Sequence, residues 1–197
     1  MSNLTQFKST EFRRKNLRGF TLIEVLVTVV VVSIGLLGLA GLQINGLRAN
    51  MSSEARSKAT LLASDIVERM RANLAGVDAN LYDGINISEA TCAAPTPLCS
   101  NISGTPLTGG SCTSAQMATF DAWAWGCGLT PAGGAQRGGI VNRLPNAIAS
   151  VACEDNNPDD APLCSPGSPH TVSITWSEQN PSDGSATLQT ISLVVVP

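Results

Sequence analysis

The sequence predicts an α+β protein in which one long N-terminal helix packs on a small antiparallel sheet and disulfides staple the connecting loops. The first reason is a run of 23 uncharged positions, Val25 to Leu47, followed by apolar residues recurring every three or four positions as far as Leu74. The second lies near the other end, where Thr171-Val172-Ser173-Ile174-Thr175-Trp176 alternates with period two and Ala186–Val196 finishes in β-branched residues. Between these stretches lie all six cysteines, an even count that indicates disulfides formed in an oxidising compartment.

Residues 1–19 form a basic leader with no core-forming pattern: Lys8, Arg13, Arg14, Lys15 and Arg18 stand against the single acid Glu11. The remainder carries seven basic and fourteen acidic residues, so a net charge of −3 for the whole chain conceals −7 beyond the leader. Positive charge ahead of an apolar run holds that end in the cytoplasm and places the bulk of the chain across the membrane. A secretory signal peptide has a shorter apolar core of about 7–15 residues and a small-residue cleavage site. Here the run is long enough, at about 1.5 Å per residue, to cover about 35 Å and cross a bilayer core. Residues 20–47 are therefore expected to be a transmembrane helix. An ordinary anchor does not need an acid at its start, yet Glu24 sits between Ile23 and Val25. A carboxylate at the centre of a hydrocarbon layer costs about 2.5–3.5 kcal/mol, less near the interface, so Glu24 calls for a cation or a place among the headgroups.

Residues 48–75 continue the helix in amphipathic form. Leu47, Met51, Ala55, Ala59, Leu62, Ile66, Met70 and Leu74 make a stripe suited to packing on a head, and Glu54–Lys58 and Asp65–Arg69 are acid-before-base pairs on its solvated flank. Arg69 and Arg71 fall in the last turn, where cations complement the helix dipole. Gly76 is expected to end the helix. Gly35, Gly38 and Gly41 suit close helix packing in lipid and make the softest part of the apolar half.

Residues 76–197 form the head. Val77–Gly110, rich in Asn, Ser, Thr, Gly and Pro, is expected to be loop, and Thr113 or Ser114 caps a helix reaching about Trp125. That helix carries Phe120, Trp123 and the nearby Met117, and the two tryptophans close to Cys127, Trp123 and Trp125, are expected to form a small aromatic core. Pro131–Gly139 is a glycine-rich loop without the lysine of a phosphate-binding motif. Ala147–Cys153 is a further strand candidate, and Asn180-Pro181-Ser182-Asp183-Gly184 has the chemistry of a hairpin turn before the last strand. Val172, Ile174 and Trp176 are expected to face the long helix.

The shortest gap between the cysteines, Cys92 to Cys99, is wider than the close pairs of a zinc site, so no metal is expected. Joining sequence neighbours closes the shortest loops and predicts Cys92–Cys99, Cys112–Cys127 and Cys153–Cys164. Asp155, Asp159 and Asp160 lack the alternation and glycine of a calcium loop. With one histidine, His170, and no nucleophile motif beside it, the chain is not expected to be an enzyme or to use a cofactor. No feature suggests direct binding to nucleic acid.

The order Arg18-Gly19-Phe20-Thr21-Leu22-Ile23-Glu24 resembles the class III signal of type IV prepilins. That resemblance implies cleavage after Gly19 by the prepilin peptidase, N-methylation of Phe20, and a role for Glu24 in pairing with the terminal amine of a neighbouring subunit. A second stretch, Ala63-Ser64-Asp65-Ile66-Val67-Glu68-Arg69-Met70-Arg71-Ala72-Asn73, is similar to the corresponding segment of PilV-type minor pilins. Together they imply a minor pilin with the pilin fold that waits in the bacterial inner membrane, its head in the periplasm. It would then join other minor and major pilins, through the inner-membrane assembly platform, in an extracellular pilus that serves twitching motility or adhesion. A minor pseudopilin of a type II secretion system carries the same leader, and a pilus-tip adhesin would use the exposed head loops; both readings stay open on sequence alone.

Overall fold

The computed structural model describes residues 19–100, 111–129, 138–157, 159, 164–179 and 184–197. The expected leader up to Arg18, the end of the first loop, most of the glycine-rich loop, the residues 180–183 of the turn, and Asp160 lie outside the described residues. The chain divides into two compact units, Met1–Ile44 and Asn45–Pro197.

Helix α1 spans Leu22–Ala72. The sequence contains no proline in this stretch, and glycines 35, 38 and 41 do not interrupt it. The helix ends three residues before the expected stop, at Asn73, whose backbone leaves helical geometry at φ −127° and ψ 55°. The Asn73 amide replaces what the backbone gives up, donating to the Ser114 carbonyl at 2.9 Å and to the Tyr82 hydroxyl at 3.1 Å. A short helix, α2 (Leu74–Asp78), follows at once, so Gly76 lies inside a helix and does not end one. Its lack of a side chain admits the Asn73 amide, whose Cγ would stand 2.9 Å from a Cβ placed there.

The head carries a four-stranded antiparallel sheet in the order β1 (Ile85–Ile87), β2 (Ile148–Cys153), β3 (His170–Gln179) and β4 (Ala186–Val195). The last pair is a continuous ladder from His170↔Val195 to Gln179↔Ala186, which bears out the expected hairpin. Strand β1 lies in the segment expected to be loop. Three residues are too few to display a period of two, and pairing with Ala149–Val151 is what makes Ile85–Ile87 a strand.

Val172, Ile174 and Trp176 point inward with no exposed surface and share one core with Ala59, Leu62, Ala63, Ile66, Val67 and Met70 of α1. Each side chain of this size contributes about 1.5–3 kcal/mol by leaving water. The stripe is shorter than its pattern: Leu47, Met51 and Leu74 are 63, 69 and 53% exposed, so burial begins near Ala55 and ends at Met70.

Helix α3 (Ser114–Cys127) begins with a reciprocal cap in which the Gln116 N–H bonds the Thr113 hydroxyl and the Thr113 N–H bonds the Gln116 side chain. Two clusters enclose it. Phe120 and Trp123, their ring centroids 5.9 Å apart, pack with Ala124, Cys127 and Ile87. Trp125 turns to the main core instead, and its indole N–H donates to the Leu62 carbonyl of α1 at 2.6 Å. The expected aromatic core therefore holds for Trp123, which packs with Phe120, but not for Trp125, which joins the main core against α1.

A buried acid ties α3 to the end of α1. Asp121 is 5% exposed and accepts from the Tyr82 hydroxyl at 2.7 Å and from Arg69 Nη1 at 3.3 Å. Arg69 also reaches Asp65 at 3.2 Å, while Arg71 pairs with Glu68 on the surface at 2.8 Å. The role expected of Arg69, a cation complementing the helix dipole, is secondary: its guanidinium balances a carboxylate that burial would otherwise leave uncompensated. Burial, and then the hydrogen bond to Asp121, push the Tyr82 hydroxyl well above its usual range.

The disulfides are Cys92–Cys127, Cys99–Cys112 and Cys153–Cys164. Only the third matches the expected pairing. Cys112 and Cys127 lie at opposite ends of the 14-residue α3, about 20 Å apart at 1.5 Å per residue, and a disulfide needs Cα atoms within about 7 Å. The turn after β1, Glu89–Thr91, brings Cys92 to the far end of α3 instead, with a Cα–Cα distance of 5.4 Å. In the last loop, Asp155 Oδ1 accepts from the Asn157 N–H at 3.2 Å and from both the N–H and hydroxyl of Ser165, which commits that carboxylate to holding the loop.

The loop lengths rank the first two bridges. Chain-entropy arguments give about 4 kcal/mol for the 35-residue separation of Cys92–Cys127 and about 3 kcal/mol for the 13-residue separation of Cys99–Cys112. Denaturant unfolding of the two paired Cys→Ala variants should show the Cys92/Cys127 loss as the larger. Tyr82 supplies a second test because it is the chain's single tyrosine. Its folded pKa lies above the unfolded value of about 10, so its contribution is intact below about pH 10 and declines as pH rises, by up to about 1.4 kcal/mol per unit. Tyrosinate absorbance should rise only well above pH 10 until the chain unfolds, and the decline in stability should be absent from Tyr82→Phe.

Candidate assembly site

The residues singled out for processing and assembly sit together at the start of α1. Gly19, Phe20 and Thr21 precede the helix, and Glu24 lies in its first turn. Thr21 organises the entry: its carbonyl accepts from the Glu24 and Val25 N–H groups at 3.1 and 3.3 Å, and its hydroxyl accepts from the Glu24 N–H at 3.4 Å. Hydroxyls further along are satisfied within the helix, Thr28 donating to the Val25 carbonyl and Ser33 to the Val29 carbonyl. Such internal bonds are what a polar side chain needs in a surrounding that offers no water.

Every large apolar side chain from Phe20 to Leu47 is at least half exposed, including Phe20 at 81% and Leu37 at 73%. The most apolar window of α1 has a mean hydropathy of 2.7, and α1 is long and apolar enough to cross a membrane by length and composition. A helix apolar on all sides and uncovered on all sides is not a surface built for water. Within it Glu24 carries the only charge between Phe20 and Leu47, and among the described residues its carboxylate has no hydrogen-bond or ionic partner. Among the described residues nothing packs on the glycines at 35, 38, 41 and 46: a Cβ at any of them would meet no atom within 4 Å outside the helix's own backbone. Among the described residues, the acid and the small residues are thus free of contacts with other parts of the chain.

The six cysteines are brought together in the pairs already described and hold the head loops. His170 opens β3 on the inner face, is 2% exposed, and Nδ1 lies 3.1 Å from the Ser168 carbonyl. Burial holds its imidazole below the usual value and therefore neutral at pH 7. Missing from the expected residues was the set Arg69, Asn73, Tyr82 and Asp121, which fixes the end of α1 to α3. A trace of it was visible, since Asp121 interrupts the otherwise uncharged Ser114–Cys127 segment and an acid in such a position needs a partner.

Comparison with known families places these features in context. Residues 14–40 match the prokaryotic N-terminal methylation motif. Residues 41–123 match the type IV pilin Tt1218 family, described as Tt1218-like. No curated protein and no solved structure matches the chain. The two matched stretches adjoin, and together they make the chain similar to type IV pilins from the processing segment, through α1 and its Arg69–Asp121 contact, to Trp123 in α3.

Proposed function

We propose that the chain is a minor pilin of a type IV pilus, of the PilV type, and that it takes part in priming, assembling or capping the filament. The observation that carries this reading is Glu24, without a partner among the described residues, at the start of a stretch of α1 whose large apolar side chains as far as Leu47 are all at least half exposed, inside a segment that matches the methylation motif. Prepilin peptidase cuts after Gly19, and Phe20 becomes the methylated amino terminus. The new amine and Glu24 are then one helical turn apart in sequence. Within one chain that spacing gives a weak, solvent-like pairing at best, whereas between neighbours it gives a cation to each buried acid and fixes their stagger. Assembly is favoured because it removes an uncompensated carboxylate from lipid.

The charge asymmetry supports the orientation, with the leader in the cytoplasm and the disulfide-bonded head in the periplasm, before transfer through the assembly platform to the pilus. The segment from Ala63 to Asn73, with its Arg-Met-Arg-Ala-Asn ending, supports the PilV type over a secretion pseudopilin with the same leader. Gly35–Gly41 takes the strain of packing, and this part of α1, continuous in the single chain, unwinds in the filament.

Intact mass of the chain recovered from membranes tests the processing. With the peptidase present, Met1–Gly19 should be missing and one methyl group should be on Phe20; an identical uncut mass in cells with and without the peptidase would overturn the reading. Glu24→Ala should be cut normally yet enter sheared pili at least about tenfold less, the scale of 1.4 kcal/mol or more in subunit pairing. Filament density that remains helical through Gly35–Gly41 would remove the proposed soft segment while leaving the role of Glu24 standing.

A further inference from the structure

The inner face of the sheet ends in a cluster that the pilin reading leaves unused. Cys153 at the end of β2 stands directly opposite His170 at the start of β3, and both belong to the set of residues that alternates toward the core. Cys164 returns through the last loop and is 5% exposed. The two sulfurs and a ring nitrogen of His170 all lie within 4.8 Å of one another. A tetrahedral cation with sulfur at about 2.3 Å and nitrogen at about 2.0–2.1 Å would need separations of about 3.3–3.8 Å, which small side-chain rotations supply.

A second observation comes from the histidine itself. The carbonyl of Ser168, 3.1 Å from Nδ1, accepts a hydrogen bond from Nδ1–H, so the proton sits on Nδ1 and Nε2 is the lone-pair nitrogen. That atom is buried and has no hydrogen-bond partner. A carbonyl behind one ring nitrogen and an unsatisfied lone pair on the other is the arrangement by which proteins orient a metal-ligating histidine. Asp83 borders the cluster without joining it: its Oδ1 accepts the Cys153 N–H at 2.9 Å, and the ligand atoms within 4.8 Å of one another are those of Cys153, Cys164 and His170. Cys92–Cys127 and Cys99–Cys112 have no comparable partner, because His170 is the only histidine in the chain.

We propose that Cys153, Cys164 and His170 form a Cys₂His site for a thiophilic divalent cation of the zinc class, and that the Cys153–Cys164 disulfide is the alternative state of the same cluster. A dithiol or phosphine reductant supplies two electrons, the S–S bond breaks, and two protons from solvent give two thiols. The cation then displaces both thiol protons and is held by two thiolates and the imidazole, with water completing the tetrahedron. Oxidation returns two electrons to an acceptor disulfide, expels the cation and restores the bridge. Two thiolates and an imidazole select zinc over calcium or magnesium. This assignment is independent of the pilin reading.

The test uses the full chain in detergent, reduced with a phosphine without air, and titrated with cobalt(II) as the spectroscopic stand-in for zinc. The expected result is one cobalt per chain with thiolate charge-transfer and tetrahedral ligand-field bands, displaced by zinc and absent from the oxidised chain. Cys153→Ser/Cys164→Ser should lose the bands, Cys99→Ser/Cys112→Ser should keep them, and His170→Gln should bind at least tenfold more weakly. No tetrahedral cobalt in the reduced chain overturns the proposal, whether that chain stays folded or not. The same bands in Cys153→Ser/Cys164→Ser, or unchanged affinity in His170→Gln, overturn it as well.

Discussion

The constraint on which the structure depends is that one helix must satisfy two surroundings. Up to Leu47 α1 offers apolar side chains in every direction, and from Ala55 to Met70 it offers a single buried face. The change takes place in the sequence without a break in the backbone, because Asn45, Arg48, Asn50, Ser52, Ser53 and Glu54 raise the polarity while remaining compatible with helix. An all-round apolar surface cannot persist in water, and a one-sided surface cannot recommend itself to lipid. The two halves therefore call for different surroundings, and among the described residues it is the second whose buried face is packed against the head.

That internal partner is assembled around α3. One side of α3 carries Phe120 and Trp123 into the small cluster beneath Cys92 and Cys127, and the other carries Trp125 into the main core against Leu62. Enclosing a helix on two sides leaves little room for a charge, and Asp121 is kept only because Tyr82 and Arg69 converge on it. Such a carboxylate adds little net stability over an apolar replacement, but it penalises any register in which Arg69 and Tyr82 are elsewhere. Asn73 serves the same end by spanning the break between α1 and α2 and bonding to the first turn of α3. The end of α1 is consequently placed by directional contacts, whereas the rest of its buried face relies on packing.

How much of this is legible in sequence follows from the range over which each feature is decided. The strand at 171–176 and the hairpin it makes are local, because alternation and turn residues lie within one short window. The α3 cap is local for the same reason, as Thr113 and Gln116 are three residues apart. Strand β1 is not, since Ile85–Ile87 acquires its conformation from β2, more than sixty positions away. The site at Arg69 is divided similarly: Asp65, four residues earlier, is visible as a helical neighbour, while Asp121 requires the fold to bring it there. Cys112–Cys127 is the instructive error. Loop length alone favours that pair, but the helix expected between the two cysteines already holds them apart, and treating the two expectations together would have rejected the bridge.

The processing segment is legible for a different reason. In the roles proposed for them, a leader and an acid at the start of the helix would act on an extended chain or on the first helical turn, where a peptidase or a neighbouring subunit would meet residues in nearly their sequence order. Gly19, Phe20 and Glu24 lie within six consecutive positions, and folding rearranges none of them. The Arg69–Asn73 segment differs even though it too is contiguous. Its residues diverge in space, Arg69 toward Asp121, Arg71 toward Glu68 on the surface, and Asn73 toward Tyr82 and Ser114. A similarity over that segment therefore speaks first of how the spine is locked to the head. The stretch matched to type IV pilins, ending at Trp123, contains all the members of this lock, so the same physical argument accounts for the contact with the head and for the reach of the similarity.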